Sequence, residues 1–234
     1  MLGLAAELGV ERGGSISENL SVLELSGFVA RDTGLNPKTG RPSRQDRYRI
    51  RDNYTRFYLR YVEPHEEAIR KGQFALSSLE SLPGWDSILG LQFENLVLNH
   101  AMSLVPFLHL GGVPILSAAP LRLPGAKSEP GCQVDLLLQT RRSVCVVEIK
   151  RRRELGEEVE AEVARKVARL KVAHGTSVRT ALVYDGHLAP VVRGNGYFDA
   201  IVSSRELLGI PERGLSCRDM EATQLRWRKT RRRK

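Results

Sequence analysis

The chain has 234 residues, of which 41% are hydrophobic and 27% are charged, a balance typical of a globular protein with one large or two small domains. It contains no run of about 20 uninterrupted apolar residues, so we expect no membrane span. The N-terminus lacks the basic and apolar segments of a secretory signal. Cys132, Cys145 and Cys217 are too few and too widely spaced for a disulfide framework or a Cys-x-x-Cys metal site, so we expect a cytoplasmic protein.

The net charge of +9 is concentrated in two regions. Residues 226–234 contain seven basic residues and no acidic residue, whereas the rest of the chain carries 29 basic against 27 acidic residues. We therefore expect residues 211–234 to form a basic tail. Residues 31–60 form a second basic region, with nine Lys or Arg against three Asp. A basic tail binds nucleic acid, another acidic partner or nothing specific, so the second region is the more informative one.

Residues 1–62 are predicted to form a short helix, a second helix and a β-hairpin. The short helix falls at residues 2–8. The second helix begins at a capping box of Ser15 and Glu18 and ends at Gly27. Two strands flank a turn-rich loop at residues 35–43.

This order of elements is that of a winged helix-turn-helix. Its first helix is short, which predicts that the sequence begins inside the module. The second helix carries no Lys or Arg, so DNA contact is expected from the hairpin, where Arg41, Arg44 and Arg47 would reach phosphates. The competing interpretation is that this unit only packs against the rest of the chain.

Aromatic residues recur at helical spacing from Tyr54 to Tyr61, which predicts a helix ended by Pro64. Such a stripe packs in a core or between domains more often than it stacks on unpaired bases. Residues 63–84 are expected to form a helical linker.

Residues 85–210 are predicted to form a second domain. Its expected elements are a long helix from Trp85, strands at 132–139 and 143–150, a helix at 157–173 and a strand at 180–186 ended by an Asp-Gly turn. The helix at 157–173 is expected to bury Val159 and Val163 and to expose Glu162 and Lys166.

Acidic residues lie within the apolar strands of this domain. Asp135 lies in the first strand, and Glu148 and Lys150 share one face of the second. If the two strands pair, Asp135 lies beside Glu148, and a divalent cation would offset their repulsion. Carboxylate ligands favour Mg²⁺ or Mn²⁺. The alternative is a buried ion pair of Lys150 with Glu148 or Asp135 and no metal.

Val-Asp, followed about a dozen residues later by Glu-x-Lys, resembles the motif of the PD-(D/E)xK nuclease superfamily. Asp135, Glu148 and Lys150 match the motif, Glu94 matches the acidic residue often found on an upstream helix, and Val134 replaces the proline. Together with the winged helix, the chain resembles the C-terminal region of archaeal-type AAA ATPases over residues 2–205. The resemblance implies an α/β (α+β) protein with an N-terminal winged helix-turn-helix and a restriction-endonuclease-like mixed-sheet core.

The resemblance also implies a mechanism. Asp135, Glu148 and the main-chain carbonyl of Ile149 would hold Mg²⁺ or Mn²⁺ for phosphodiester hydrolysis, with Lys150 orienting water or stabilising the transition state. Glu94 would bind a second metal ion or a metal-bound water. The DNA backbone would contact Arg151, Arg152 and Lys166.

The motif GxxxxGK[ST] is absent from the sequence, so no P-loop is present. The chain is then a fragment of an ATPase, a degraded remnant or the partner of a separate ATPase. The alternative function is a catalytically silent DNA-binding or regulatory module.

Overall fold

A computed structural model describes residues 14–43, 47–123, 125 and 131–210. The predictions for the helix at residues 2–8, for Arg44 and for the tail at 211–234 lie outside these residues. The described chain forms a five-stranded mixed sheet and a separate two-stranded antiparallel sheet, which confirms the mixed α/β class. Within these residues, no helix is both long and apolar enough to cross a membrane.

The N-terminal unit contains helix α1 (Gly14–Leu25) and strands β1 (Val29–Asp32) and β2 (Arg47–Ile50). The two strands pair antiparallel, with Val29 opposite Ile50, as the sequence predicts. Gly27 follows the helix with a φ of 81°, a left-handed conformation that ends helices and is favourable for glycine.

Several short helical segments follow β2, as the predicted helix and helical linker imply. They are α2 (Asn53–Phe57), a π-helical turn (Tyr58–Val62), a 3-10 turn (Glu63–His65) and α3 (Glu66–Arg70). The α- and π-helical part ends at Val62, next to the predicted end at Pro64. Pro64 lies in the first turn of a separate 3-10 segment, where proline is tolerated. Phe57 and Tyr61 pack against Trp85. Their ring centroids lie 6.4 and 6.2 Å, respectively, from the centroid of the Trp85 ring. These contacts support the packing interpretation of the aromatic stripe.

The C-terminal core contains the larger sheet and its helices. After a 3-10 turn (Leu79–Ser81), its elements are α4 (Trp85–Asn99), a 3-10 turn (Ala101–Leu104), β3 (Ser117–Leu123), β4 (Cys132–Gln139), β5 (Ser143–Leu155), α5 (Glu158–Arg169), β6 (Ser177–Leu188), α6 (Pro190–Gly194), β7 (Ala200–Ser203) and α7 (Ser204–Leu207). The strand order is β3-β4-β5-β6-β7. The pairs β3–β4 and β4–β5 are antiparallel, and the other two pairs are parallel.

Helices cover both faces of this sheet. On one face, Val97 of α4 belongs to a buried cluster with Val147 and Ile149 of β5. On the other face, Val159 and Val163 of α5 belong to a cluster with Val144 and Val146. The alternation along β5 therefore directs Glu148 and Lys150 towards α5.

The predicted Asp-Gly turn at residues 185–186 is wrong. Strand β6 continues through both residues, and Gly186 has a φ of 129°. A Cβ atom on Gly186 would lie 1.8 Å from the carbonyl oxygen of Arg152. The β5–β6 register shifts at this place, between Arg151 and Glu154. Glycine therefore permits close approach of two backbones here and does not form a turn.

Polar contacts join the N-terminal unit to the core. The buried Asn95 of α4 donates to the carbonyl of Arg51 at 2.6 Å and to Asn53 Oδ1 at 2.8 Å, and it accepts a hydrogen bond from Arg49. The loop between β1 and β2 also contacts the sheet, where Gln139 donates to the carbonyl of Leu35 at 2.6 Å. The predicted wing therefore rests on the edge of the core.

Candidate active site

A β-bulge positions Asp135. Ala119 of β3 pairs with Leu137 and Leu121 pairs with Val134, so Asp135 and Leu136 both lie opposite Pro120. Proline cannot donate a ladder hydrogen bond, and bulges re-aim the side chains that they carry. The Asp135 carboxylate turns towards β5, where its Oδ2 accepts from the main-chain N–H of Ile149 at 3.0 Å.

Glu148 lies at the centre of the site and is completely buried. Its Oε2 accepts a hydrogen bond from Lys166 Nζ at 2.5 Å. Its Oε1 lies 3.0 Å from Lys150 Nζ but accepts no hydrogen bond of good geometry from the described residues. A buried carboxylate is costly unless it is paired, and two ammonium groups supply that pairing here.

Lys150 has a second carboxylate partner. Its Nζ lies 2.6 Å from Glu162 Oε2 on α5. Burial alone would lower the pKa of Lys150, but the hydrogen bond to Glu162 and the charge of Glu148 outweigh it and raise that pKa. Lys150 is therefore a protonated cation at neutral pH.

Lys166 also lies between the two predicted acidic residues. Its Nζ is 3.8 Å from Asp135 Oδ1, and its side chain is only 14% exposed. The prediction that Glu162 and Lys166 face solvent is wrong. Glu162 follows Val159 by three residues, and Lys166 follows Val163 by three, so all four share the helix face that covers β5. That spacing is the sequence signal that could have identified both residues.

The pKa of Asp135 is raised to about 7, mainly by burial and then by the charge of Glu148, while Lys166 and the N–H of Ile149 oppose the shift. A carboxylate in this environment readily accepts a proton or a cation.

Glu94 approaches the same site from α4. Gln133, two residues before Asp135, donates to Glu94 Oε1 at 3.4 Å. Burial raises the pKa of Glu94, and the charges of Arg56 and Arg49 in the N-terminal unit partly offset that effect. The carboxylate of Glu94 therefore interacts electrostatically both with the N-terminal unit and with Asp135 and Glu148, which we call the acidic pair.

The predicted nucleic-acid residues have different environments. Arg41 is exposed on the hairpin loop and Arg47 is half-buried in β2. Arg151 lies 3.4 Å from carboxylate oxygens of both Asp86 and Asp185. Arg152 lies 3.7 and 3.6 Å from carboxylate oxygens of Glu158 and Glu162. Nearby carboxylates thus partly neutralise Arg151 and Arg152.

The donor chemistry suits a hard divalent cation. Asp135 and Glu148 offer carboxylate oxygens, and the buried Glu148 Oε1 lacks a good hydrogen-bond donor. The described ranges contain no group of three or more His, Cys, Asp or Glu placed to hold a metal ion. A metal ion here would therefore rely on two carboxylates, with main-chain and water oxygens completing its shell.

A cavity of about 460 Å³ lies beside α5, and Cys132, Glu162 and Lys166 line it. Its lining includes the partners of the acidic residues but not Asp135, Glu148 or Lys150 themselves. Cys145, in contrast, is buried on the opposite face of the sheet, where burial raises its thiol pKa to about 12.

Comparisons with known proteins add no assignment: no family model, no curated protein and no solved structure matches this chain.

Proposed function

We propose that this chain is a divalent-metal-dependent phosphodiesterase that acts on DNA, with a winged-helix unit attached to a nuclease-like core. One observation carries the proposal. The buried Glu148 lies beside Asp135, and Lys150, which is on the same strand as Glu148, contacts the Glu148 carboxylate. These are the residues that match the nuclease motif, although Asp135 and Glu148 lie 13 positions apart in the sequence.

Asp135, Glu148 and the main-chain carbonyl of Ile149 would hold Mg²⁺ or Mn²⁺. The bound ion would supply an activated water and neutralise charge on the scissile phosphate. Asp135 is oriented for this role by the N–H of Ile149. Glu94 would act from the outer side of the pair, through water or a second ion.

Lys150 would act as a fixed positive charge. Its raised pKa makes it a poor acceptor of the proton from water, so we assign it to stabilising negative charge that develops on the phosphate. Glu162 holds the ammonium group at 2.6 Å and would serve as its positioning residue.

The test is cleavage of plasmid DNA with and without Mg²⁺. Asp135→Asn, Glu148→Gln and Lys150→Met should each lower the cleavage rate by about 100-fold or more, the usual loss when a charge-stabilising group is removed. The matched control is Glu157→Gln, which removes an exposed carboxylate directly before α5. Cleavage that persists in Asp135→Asn and Glu148→Gln would refute the proposal.

A second candidate function rests on Lys166. Its ammonium group already bridges Asp135 and Glu148, which satisfies the acidic pair without a metal. The chain would then be a catalytically silent DNA-binding or regulatory module, and the resemblance implies a separate ATPase as its partner. Absence of Mn²⁺ binding to the wild-type protein in calorimetry would favour this candidate.

A further inference from the structure

A basic groove lies between the N-terminal unit and the core. Its lining includes Pro37 and Lys38 from the loop between β1 and β2, and Arg169 and Lys171 from the end of α5 and the residues after it. Strand β3 contributes Leu121 and Arg122 to the floor. The volume of the groove, about 550 Å³, falls within the usual range for ligand sites, about 300–1,000 Å³.

The charge of this groove has one sign. Four cationic side chains line it, and no Asp or Glu is among its described lining residues. Lys38, Arg122 and Lys171 form no ion pair with a carboxylate in the part of the chain that the structure describes. Arg151 and Arg152, in contrast, have carboxylates close by. Lys38, Arg122 and Lys171 are therefore more available to an external anion.

A further pair of like charges adjoins the groove. Burial lowers the pKa of Arg47 in β2, and the charge of Arg122 lowers it further, although Asp32 acts in the opposite sense. Two guanidinium groups from different units therefore repel each other at this place, and an anion between them would relieve the repulsion.

The groove adjoins the cavity beside α5, whose lining includes two residues that contact the acidic side chains or Lys150. Ala168 and Arg169 line both the groove and the cavity that contains Glu162 and Lys166. A chain of regularly spaced anions in the groove would therefore pass along α5 towards Asp135 and Glu148.

We infer that this groove binds the phosphodiester backbone of a nucleic-acid strand. Lys38, Arg122 and Lys171 contact successive phosphates, and the aliphatic floor contacts sugar or base. Binding in the groove needs no metal, whereas delivery of the strand to the acidic pair rests on the proposed function.

The test measures fluorescence anisotropy of a labelled oligonucleotide in EDTA, as a single strand and as a duplex, over a range of salt concentrations. Lys38→Gln/Lys171→Gln should weaken binding by about tenfold. It should also flatten the slope of log affinity against log salt by about 0.7 per lost contact for a single strand, or about 0.9 for a duplex. The matched control is Arg70→Gln/Lys71→Gln, which removes two cations that are 75% and 62% exposed at the end of α3 and directly after it.

Unchanged affinity and slope in Lys38→Gln/Lys171→Gln would overturn the inference. An equal loss in the control would also overturn it, because net charge alone would then explain binding. Competition by poly-glutamate as strong as that by the oligonucleotide would assign the groove to an acidic protein instead. Failure of the proposed function alone would give a different result. Metal binding and DNA cleavage would then be absent, but Lys38→Gln/Lys171→Gln would still weaken oligonucleotide binding.

Discussion

Glu148 has no contact with water, and its charge is balanced by lysines from two different elements. Removing one member of such a group leaves a buried charge without its partner, which costs about 3–5 kcal/mol. Single substitutions in this cluster therefore affect both stability and chemistry, and the experiments need conditions that separate the two effects.

The protonation of Asp135 gives the first prediction. Because its pKa is raised to about 7, the folded metal-free protein binds a proton that the unfolded chain has released above about pH 4. The unfolding free energy of the wild type, relative to Asp135→Asn, should therefore fall as the pH rises from 4 to 7. Urea unfolding in EDTA at several pH values measures this difference. Parallel pH profiles for the two proteins would contradict it.

Lys166 gives the second prediction, which rests on the proposed metal site. Its ammonium group lies where a cation would bridge Asp135 and Glu148. A hydrogen bond to a charged group contributes about 1.5–3 kcal/mol, so Lys166→Met should raise Mn²⁺ affinity by about tenfold while lowering stability. Isothermal titration calorimetry measures the affinity, with Lys71→Met as the control. Equal or weaker Mn²⁺ binding in Lys166→Met would show that the lysine does not compete with metal.

At the scale of the strand, Gly186 gives the third prediction. Alanine there would place its Cβ 1.8 Å from the Arg152 carbonyl oxygen and would hold an unfavourable φ. We expect Gly186→Ala to lower the free energy of unfolding by at least about 1–3 kcal/mol. Gly90→Ala in α4 is the control, because its Cβ would meet nothing within 4 Å and alanine favours a helix. Unfolding by urea, followed by circular dichroism, compares the two variants.

The elements themselves were largely predictable, because apolar periodicity decides them. The predicted strand at 132–139 coincides with β4, and Gly27 lies two residues after the end of α1. The predicted capping box is wrong as a helix start, because α1 already includes Gly14 and Ser15 lies inside it. The turn predicted at residues 185–186 was wrong because an Asp-Gly dipeptide is compatible both with a turn and with a close approach of two strands. Only the position of the Arg152 carbonyl separates these cases, and that is a tertiary contact.

The composition of the site was only partly predictable. Strand alternation places Glu148 and Lys150 on one face, as local geometry requires. The spacing of Glu162 and Lys166 from the buried Val159 and Val163 places both beside the buried face of α5. Whether they turn towards the sheet or towards solvent depends on the charged groups that meet them there, which are tertiary contacts. The bulge opposite Pro120 is equally hidden, since it needs the β3–β4 register.

At the scale of the whole molecule, Asn95 connects the two units. It is only 2% exposed and contacts Arg49, the carbonyl of Arg51 and Asn53. Asn95→Ala would leave buried polar groups without partners, so the free energy of unfolding should fall by about 1–3 kcal/mol.

Limited proteolysis measures where this loss occurs. Faster cleavage between residues 63 and 84 in Asn95→Ala would indicate that the two units separate. Asn195→Ala, which removes long contacts to Glu160 at the surface, is the control. Identical cleavage rates in the wild type and both variants would show that the polar contacts of Asn95 do not hold the units together.

The two cysteines of the core differ in accessibility, so one of them can carry a fluorescent reporter. Cys145 should resist alkylation, because it is buried and its thiol pKa is about 12. Cys132 is half-buried and borders the same cavity as Lys166. In a Cys217→Ser background, a maleimide dye would therefore attach next to the acidic cluster and signal occupancy of the cavity without any turnover assay.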